Sequence, residues 1–126
     1  MLRNPLLALG LLALASCGNT PLPDATLRLS PGSVTLKPGQ STNVTVYFKK
    51  YLYEGDPKDY FLSVSPDTDR GVRVTTFGPS LGADDSTFFR VEAASNAEPG
   101  RHTFLVVVHD NKQHSVNQTL TVNVSP

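Results

Sequence analysis

From Thr26 onward, apolar residues recur at every second position in short runs, the spacing with which an extended strand presents one face. Val44, Val46 and Phe48 alternate with Asn43, Thr45 and Tyr47. The same pattern returns in Tyr60, Leu62 and Val64, in Val72 and Val74, and in Thr87, Phe89, Val91 and Ala93. It is strongest at the end of the chain, in His102, Phe104, Val106 and Val108 and then in Val116, Leu120, Val122 and Val124. No segment carries a helical period of useful length. Between the runs stand turn formers: Ser30-Pro31-Gly32, Pro38-Gly39, Ser65 to Gly71, Gly78 to Ser86 and Asn96 to Gly100. The spacing predicts an all-β domain, an antiparallel sandwich of seven to eight strands. Pro31 cannot donate to a ladder, so the strand holding Leu27 and Leu29 is expected at an edge. It should bend or switch sheets before Val34 and Leu36 resume it.

The stretch before the alternation is of another kind. Pro5 to Leu14 is a short apolar run of mostly Leu and Ala behind Arg3, which reads as a secretory signal. It is too short to cross a bilayer, which takes about 20 residues. It ends in Leu14-Ala15-Ser16-Cys17, which resembles the lipobox of bacterial lipoproteins. The resemblance implies that Cys17 is acylated, that the signal is cut before it, and that Cys17 begins the mature chain. The expected organisation is a signal peptide over 1–16, the lipidated Cys17 with a tether over 17–25, and one domain over 26–126. The domain would then stand outside the cytoplasm, lipid-anchored to the cell membrane or an outer membrane. In lipoproteins of two-membrane bacteria, Asp after the Cys favours inner-membrane retention, so Gly18 is compatible with the outer membrane.

Composition narrows the chemistry. Cys17 is the only cysteine, so no intrachain disulfide can form, and acylation would remove the one thiol nucleophile. Without Arg3 the chain keeps ten basic residues against eleven acidic ones, a balance that seeks neither nucleic acid nor an anionic surface. The mature chain has no Trp and no Met, which removes Trp platforms for sugars and thioether metal ligands. No cofactor is expected.

From about Leu27 to Val124 the chain resembles the immunoglobulin-like sandwiches of bacterial secreted and surface proteins. The resemblance rests on Val34-Thr35-Leu36-Lys37-Pro38-Gly39-Gln40-Ser41, on Val44-Thr45-Val46, and on Gly71-Val72 followed by Phe77-Gly78-Pro79. Ala97-Glu98-Pro99-Gly100 and Leu120-Thr121-Val122-Asn123-Val124 complete it. These are turns and core positions, which imply a fold and no reaction. Many members of the family place a Tyr two residues after the Gly of the later Pro-Gly turn, where it makes a corner contact. Here that position is His102, expected to be a half-buried corner residue.

Few residue groups suggest a site. His109 and His114 flank Asp110 to Gln113, but alternation sends them to opposite faces, so they cannot share one ion. Asp67-Thr68-Asp69-Arg70-Gly71 is a fragment of a calcium loop without the closing acidic ligand. No serine sits in a nucleophile elbow, and catalysis is not expected. The best candidate is the irregular stretch from 49 to 58. There Lys49, Lys50, Tyr51, Leu52 and Tyr53 would suit a protein partner, two lysines steering and two tyrosines supplying contact area. The bland reading folds those side chains over the open end of the core. Outward Phe88, Leu105 and Val107 are a weaker suggestion of an interface. Two functions follow: a non-enzymatic envelope lipoprotein whose module binds a protein or supports an envelope assembly, or a carbohydrate or small-ligand module. The second would need a platform from Tyr47, Tyr51, Tyr53 and Tyr60.

Overall fold

In a computed structural model, which describes residues 20–78 and 80–126, the alternating runs become strands of two facing sheets. The strands are β1 (Thr20–Pro21), β2 (Ala25–Ser30), β3 (Ser33–Leu36), β4 (Ser41–Lys50), β5 (Tyr60–Ser65) and β6 (Thr68–Asp69). They continue as β7 (Val72–Phe77), β8 (Ser80–Leu81), β9 (Asp84–Ala93), β10 (Gly100–His109) and β11 (His114–Val124). Among the described residues, eight of these have four residues or more, and three are two-residue bridges at sheet margins. The expected signal peptide, the lipobox-like Leu14-Ala15-Ser16-Cys17 and the expected lipidation of Cys17 fall outside the described residues.

One sheet has the order β2-β4-β9-β7-β6, the other β1-β11-β10-β5-β8 with β3 alongside β11. The four main strands β2-β4-β9-β7 facing β5-β10-β11 have the connectivity of an immunoglobulin-like sandwich. Pro31 and Gly32 mark the expected change of sheet. Before them β2 is the antiparallel neighbour of β4 in the first sheet, and after them β3 runs parallel to β11 in the second. The missing proline N–H falls where neither ladder needs it.

Period-two alternation places the core. Val44, Val46, Phe48, Leu62, Val72, Val74, Phe89, Val91, Phe104, Val106, Leu120 and Val122 are all buried between the sheets. Tyr60 and Phe48 close the core near one end, their ring centroids 5.0 Å apart, and the Tyr60 hydroxyl donates to the Pro57 carbonyl at 2.7 Å. The stretch expected to be a loose tether is held down from Thr20. The Thr20 N–H donates to the Gln113 carbonyl and the Leu22 N–H to that of Ser115, each at 2.9 Å, and Leu22 is buried in the core. Its single large apolar side chain supplies the reason.

The sandwich has two distinct ends. β1 begins, β4 and β10 finish, and β5, β9 and β11 start at the end where the chain enters. Residues 51–59, 110–113 and 82–83 connect strands there. The turns around Pro38-Gly39, Arg70-Gly71 and Ala97, and Pro126, lie at the other end.

Candidate functional site

Inward parity along β4 runs through Val44, Val46, Phe48 and then Lys50. Lys50 therefore points at the end of the core and is only 5% exposed. A buried ammonium requires acceptors. Lys50 Nζ donates to Asp56 Oδ2 at 3.0 Å and to the Tyr51 carbonyl. Expected as a steering charge for a partner, Lys50 is instead the internal tie of its own loop. Lys49, one residue earlier, faces outward between Thr26 and Asp84.

Beyond Lys50 the strand stops and residues 51–53 leave the ladder. Tyr51 is 64% exposed, Tyr53 51% and Leu52 37%, so they do not cover the core; Tyr60 and Phe48 do. Their placement is nevertheless fixed. The Tyr51 N–H donates to the Asp24 carbonyl at 3.1 Å, and the Tyr53 hydroxyl donates to the Asp24 carboxylate. The Tyr53 N–H donates to Asp56 Oδ2 at 2.8 Å, and the Asp56 N–H returns to the Tyr53 carbonyl at 3.0 Å. Gly55 allows that turn with φ +86°. Donation from the Tyr53 N–H and then Lys50 holds the Asp56 carboxyl below its usual range. The bond to Asp24 pushes the Tyr53 hydroxyl above its own. An open hollow of about 390 Å³ lies beside this loop, lined by Asp24, Thr26, Lys49, Lys50, Tyr51, Leu52, Ala83 and Asp84.

The tyrosines do not assemble a flat platform. Tyr51 and Tyr53 meet at 4.8 Å but with a 57° tilt. Tyr47 stands on the outer face of the first sheet with the Arg28 guanidinium 4.2 Å from its ring centroid, and Tyr60 is inside. Phe77 and Phe88 share that outer face, 5.4 Å apart, while Leu105 is exposed on the opposite sheet, where Phe61 and His109 also stack at 5.6 Å. Phe88 thus lies on the other face from Leu105, beside which Val107 is half-buried.

The remaining candidate residues have structural roles. His102 is not half-buried but wholly buried, because it continues the inward row of Phe104, Val106 and Val108. Its Nε2–H donates to the Glu98 carbonyl at 2.7 Å, and Nδ1 lies 3.0 Å from both the carbonyl and Oδ2 of Asp69. It thus makes the corner contact in place of tyrosine. The calcium-like fragment is the other half of this corner. Arg70 reaches Glu98 at 3.0 Å and the Arg101 carbonyl at 2.9 Å, and its guanidinium, with His102 second, holds the Asp69 carboxyl below the usual range. Gly71, at φ +91°, lies so close to Ala97 that a Cβ would meet its Cα at 2.8 Å. At the other end of the molecule, Asp110 Oδ1 accepts from the N–H groups of Lys112 (2.8 Å) and His114 (3.0 Å), and Oδ2 faces the His114 ring at 3.0 Å. Among the described residues no three of His, Cys, Asp and Glu come together as metal ligands.

Sequence reasoning missed the Lys50–Asp56 tie, although the parity of β4 pointed to it. It also missed the Tyr53–Asp24 bond, for which no local signal exists across 29 positions.

Comparison of the sequence with protein-family models and with curated proteins finds no match. The fold is similar to that of the S-layer protein SbsC domains 4 and 5, with a TM-score of 0.58 and 17% identity, over 80% of this chain and 45% of that one. It is also similar to a conjugative transposon lipoprotein from Bacteroides eggerthii, with a TM-score of 0.56 and 16% identity, over 79% of this chain and 97% of that one. The chain thus spans less than half the length of the S-layer structure.

Proposed function

We propose that this chain is a non-enzymatic envelope lipoprotein, anchored to a membrane through acylated Cys17, whose immunoglobulin-like module binds a protein partner or supports an envelope assembly. The observation that carries the reading is the sequence Leu14-Ala15-Ser16-Cys17 behind a short apolar run, with the fold taking up the chain only three residues later, at Thr20. A surface domain held that closely to its anchor has the arrangement of a fixed module. Of the side chains weighed as metal ligands, Asp69 faces His102 and Arg70, and His114 faces Asp110. Similar folds include those of a surface-layer protein and a lipoprotein, which agrees with an envelope setting.

Mass spectrometry of the membrane-extracted protein tests the anchor. The expected product begins at Cys17 and carries acyl mass, and Cys17→Ser should leave the signal uncut and the lipid absent. A mature wild-type protein with a free Cys17 thiol would refute the proposal. Cross-linking in intact cells, followed by identification of the joined chains, then tests the partner.

A further inference from the structure

The Tyr51-Leu52-Tyr53 loop shares an end of the sandwich with the entry of the chain. Thr20 is hydrogen-bonded to Gln113, and Asp24, four residues further on, carries both Tyr51 and Tyr53. Lys112, at the tip of the neighbouring hairpin, is close enough to lower the Asp56 carboxyl. Two residues, Gly18 and Asn19, separate Cys17 from Thr20, so the three Cα-to-Cα steps reach at most about 11 Å. Under the anchored reading proposed above, on which this inference rests, that end cannot turn away from the bilayer. The opposite end, with Asn96 and Pro126, is held away by the length of the strands.

The chemistry of the end matches the position. Two tyrosines and a leucine are exposed in adjacent positions where the core has no use for them. Tyrosine is enriched where a membrane meets water, since its ring suits the acyl boundary and its hydroxyl the headgroups. The Tyr53–Asp24 bond ties the loop to the segment that leads from the anchor, so the loop follows the anchor as one unit. Charge does not supply the attraction. Asp24, Glu54, Asp59 and Asp84 face the end beside Lys49, Lys58 and Lys112, with Lys50 and Asp56 paired to each other.

We infer that Tyr51, Leu52 and Tyr53 form a membrane seat, lying in the headgroup layer of the bilayer that holds the lipidated Cys17 and fixing the orientation of the domain on it. A lipid anchor at the end of the chain leaves the attached domain free to tumble, so a second apolar contact orients the attachment. The loop is thereby assigned to lipid, and the sheet faces are left to proteins.

The test uses the full-length lipidated protein in phosphatidylcholine vesicles. Leu52→Cys is spin-labelled, with Asn96→Cys as the far-end control; acylation of Cys17 leaves the introduced thiol as the single labelling site. Circular dichroism checks that each variant is folded. The label at 52 should show an oxygen-to-nickel accessibility ratio several-fold above that at 96. The ratio should be unchanged by adding anionic lipid, and should collapse towards the control in a Tyr51→Ser, Tyr53→Ser background. A lipidated protein whose label at 52 is as open to the aqueous nickel reagent as that at 96 would overturn the seat and leave the anchor intact. Shielding of 52 in native membranes but not in pure lipid would also overturn it, in favour of a protein partner. A second labelled thiol, at Cys17, would instead overturn the anchored reading itself.

Discussion

Replacing His102 with Phe keeps an aromatic ring at the corner and deletes both ring nitrogens. The side chain is wholly buried, and the three atoms facing its nitrogens, the Glu98 carbonyl at 2.7 Å and the carbonyl and carboxylate of Asp69 at 3.0 Å, are all acceptors. A ring nitrogen that carries a proton satisfies the acceptor it faces. Losing such a donor leaves its acceptor without a partner, at about 1–3 kcal/mol each. Both nitrogens are lost, but Asp69 keeps Arg70 and part of its exposure to water, so the loss on that side is the smaller. The expected destabilisation is about 2–5 kcal/mol, a large part of the roughly 5–15 kcal/mol that holds a domain. In melting temperature it is a fall of roughly 10–25 °C. His102→Gln, which can still reach the Glu98 carbonyl, should lose less than Phe, and so should His102→Asn, which can reach Asp69. Urea denaturation followed by circular dichroism measures all three, because the chain has no Trp to report by fluorescence. Equal stability of Phe and wild type, or Gln and Asn falling below Phe, would refute the argument that the corner is held by donation from the ring.

Phe104 and Leu105 are sequence neighbours on opposite sides of β10, buried and exposed respectively. Phe104→Ala should cost about 3–5 kcal/mol and Leu105→Ala less than about 1 kcal/mol, both read from the same urea titrations. Acid should destabilise the fold. Asp69 is held below the usual carboxylate range mainly by the Arg70 guanidinium, and Asp85 by the N–H groups of Gly82 and Ser86. At Asp110 burial pushes the carboxyl upward, but donation from the His114 and Lys112 N–H groups outweighs it. Folded carboxyls with depressed pKa contribute fully above the unfolded value of about 3.9, and that contribution is lost as pH falls through the folded values. Stability should therefore drop below about pH 4, and more gently in Asp110→Asn; a flat profile down to pH 2 would contradict these pairings.

The sandwich was legible because its information is local. Side chains alternate with period two whatever the strand meets, so Val44, Val46, Phe89, Val91, Phe104, Val106, Leu120 and Val122 could be assigned to one core from spacing alone. The change of sheet at Pro31 was legible for a similar reason, a missing N–H that no ladder tolerates in its interior. The same alternation, carried one step further along β4, would have turned Lys50 inward. Only the tertiary structure showed that Asp56 waits there to receive it.

What the sequence could not disclose depends on residues far apart in the chain becoming neighbours. Asp24 and Tyr53, or Asp69 and His102 across 33 positions, meet only after the strands have paired, and a hydrogen bond acts over about 3 Å. For this reason His102 read as a half-buried residue and Asp67 to Gly71 as a turn with an incomplete calcium-loop pattern, when together they form one internal corner. The sequence by itself determined which face of each strand is apolar, because that follows from the chemistry of single residues in fixed alternation. The tertiary structure alone decided which end of the sandwich bears Tyr51, Leu52 and Tyr53 beside the entry of the chain, because that is set by the order in which the strands stack.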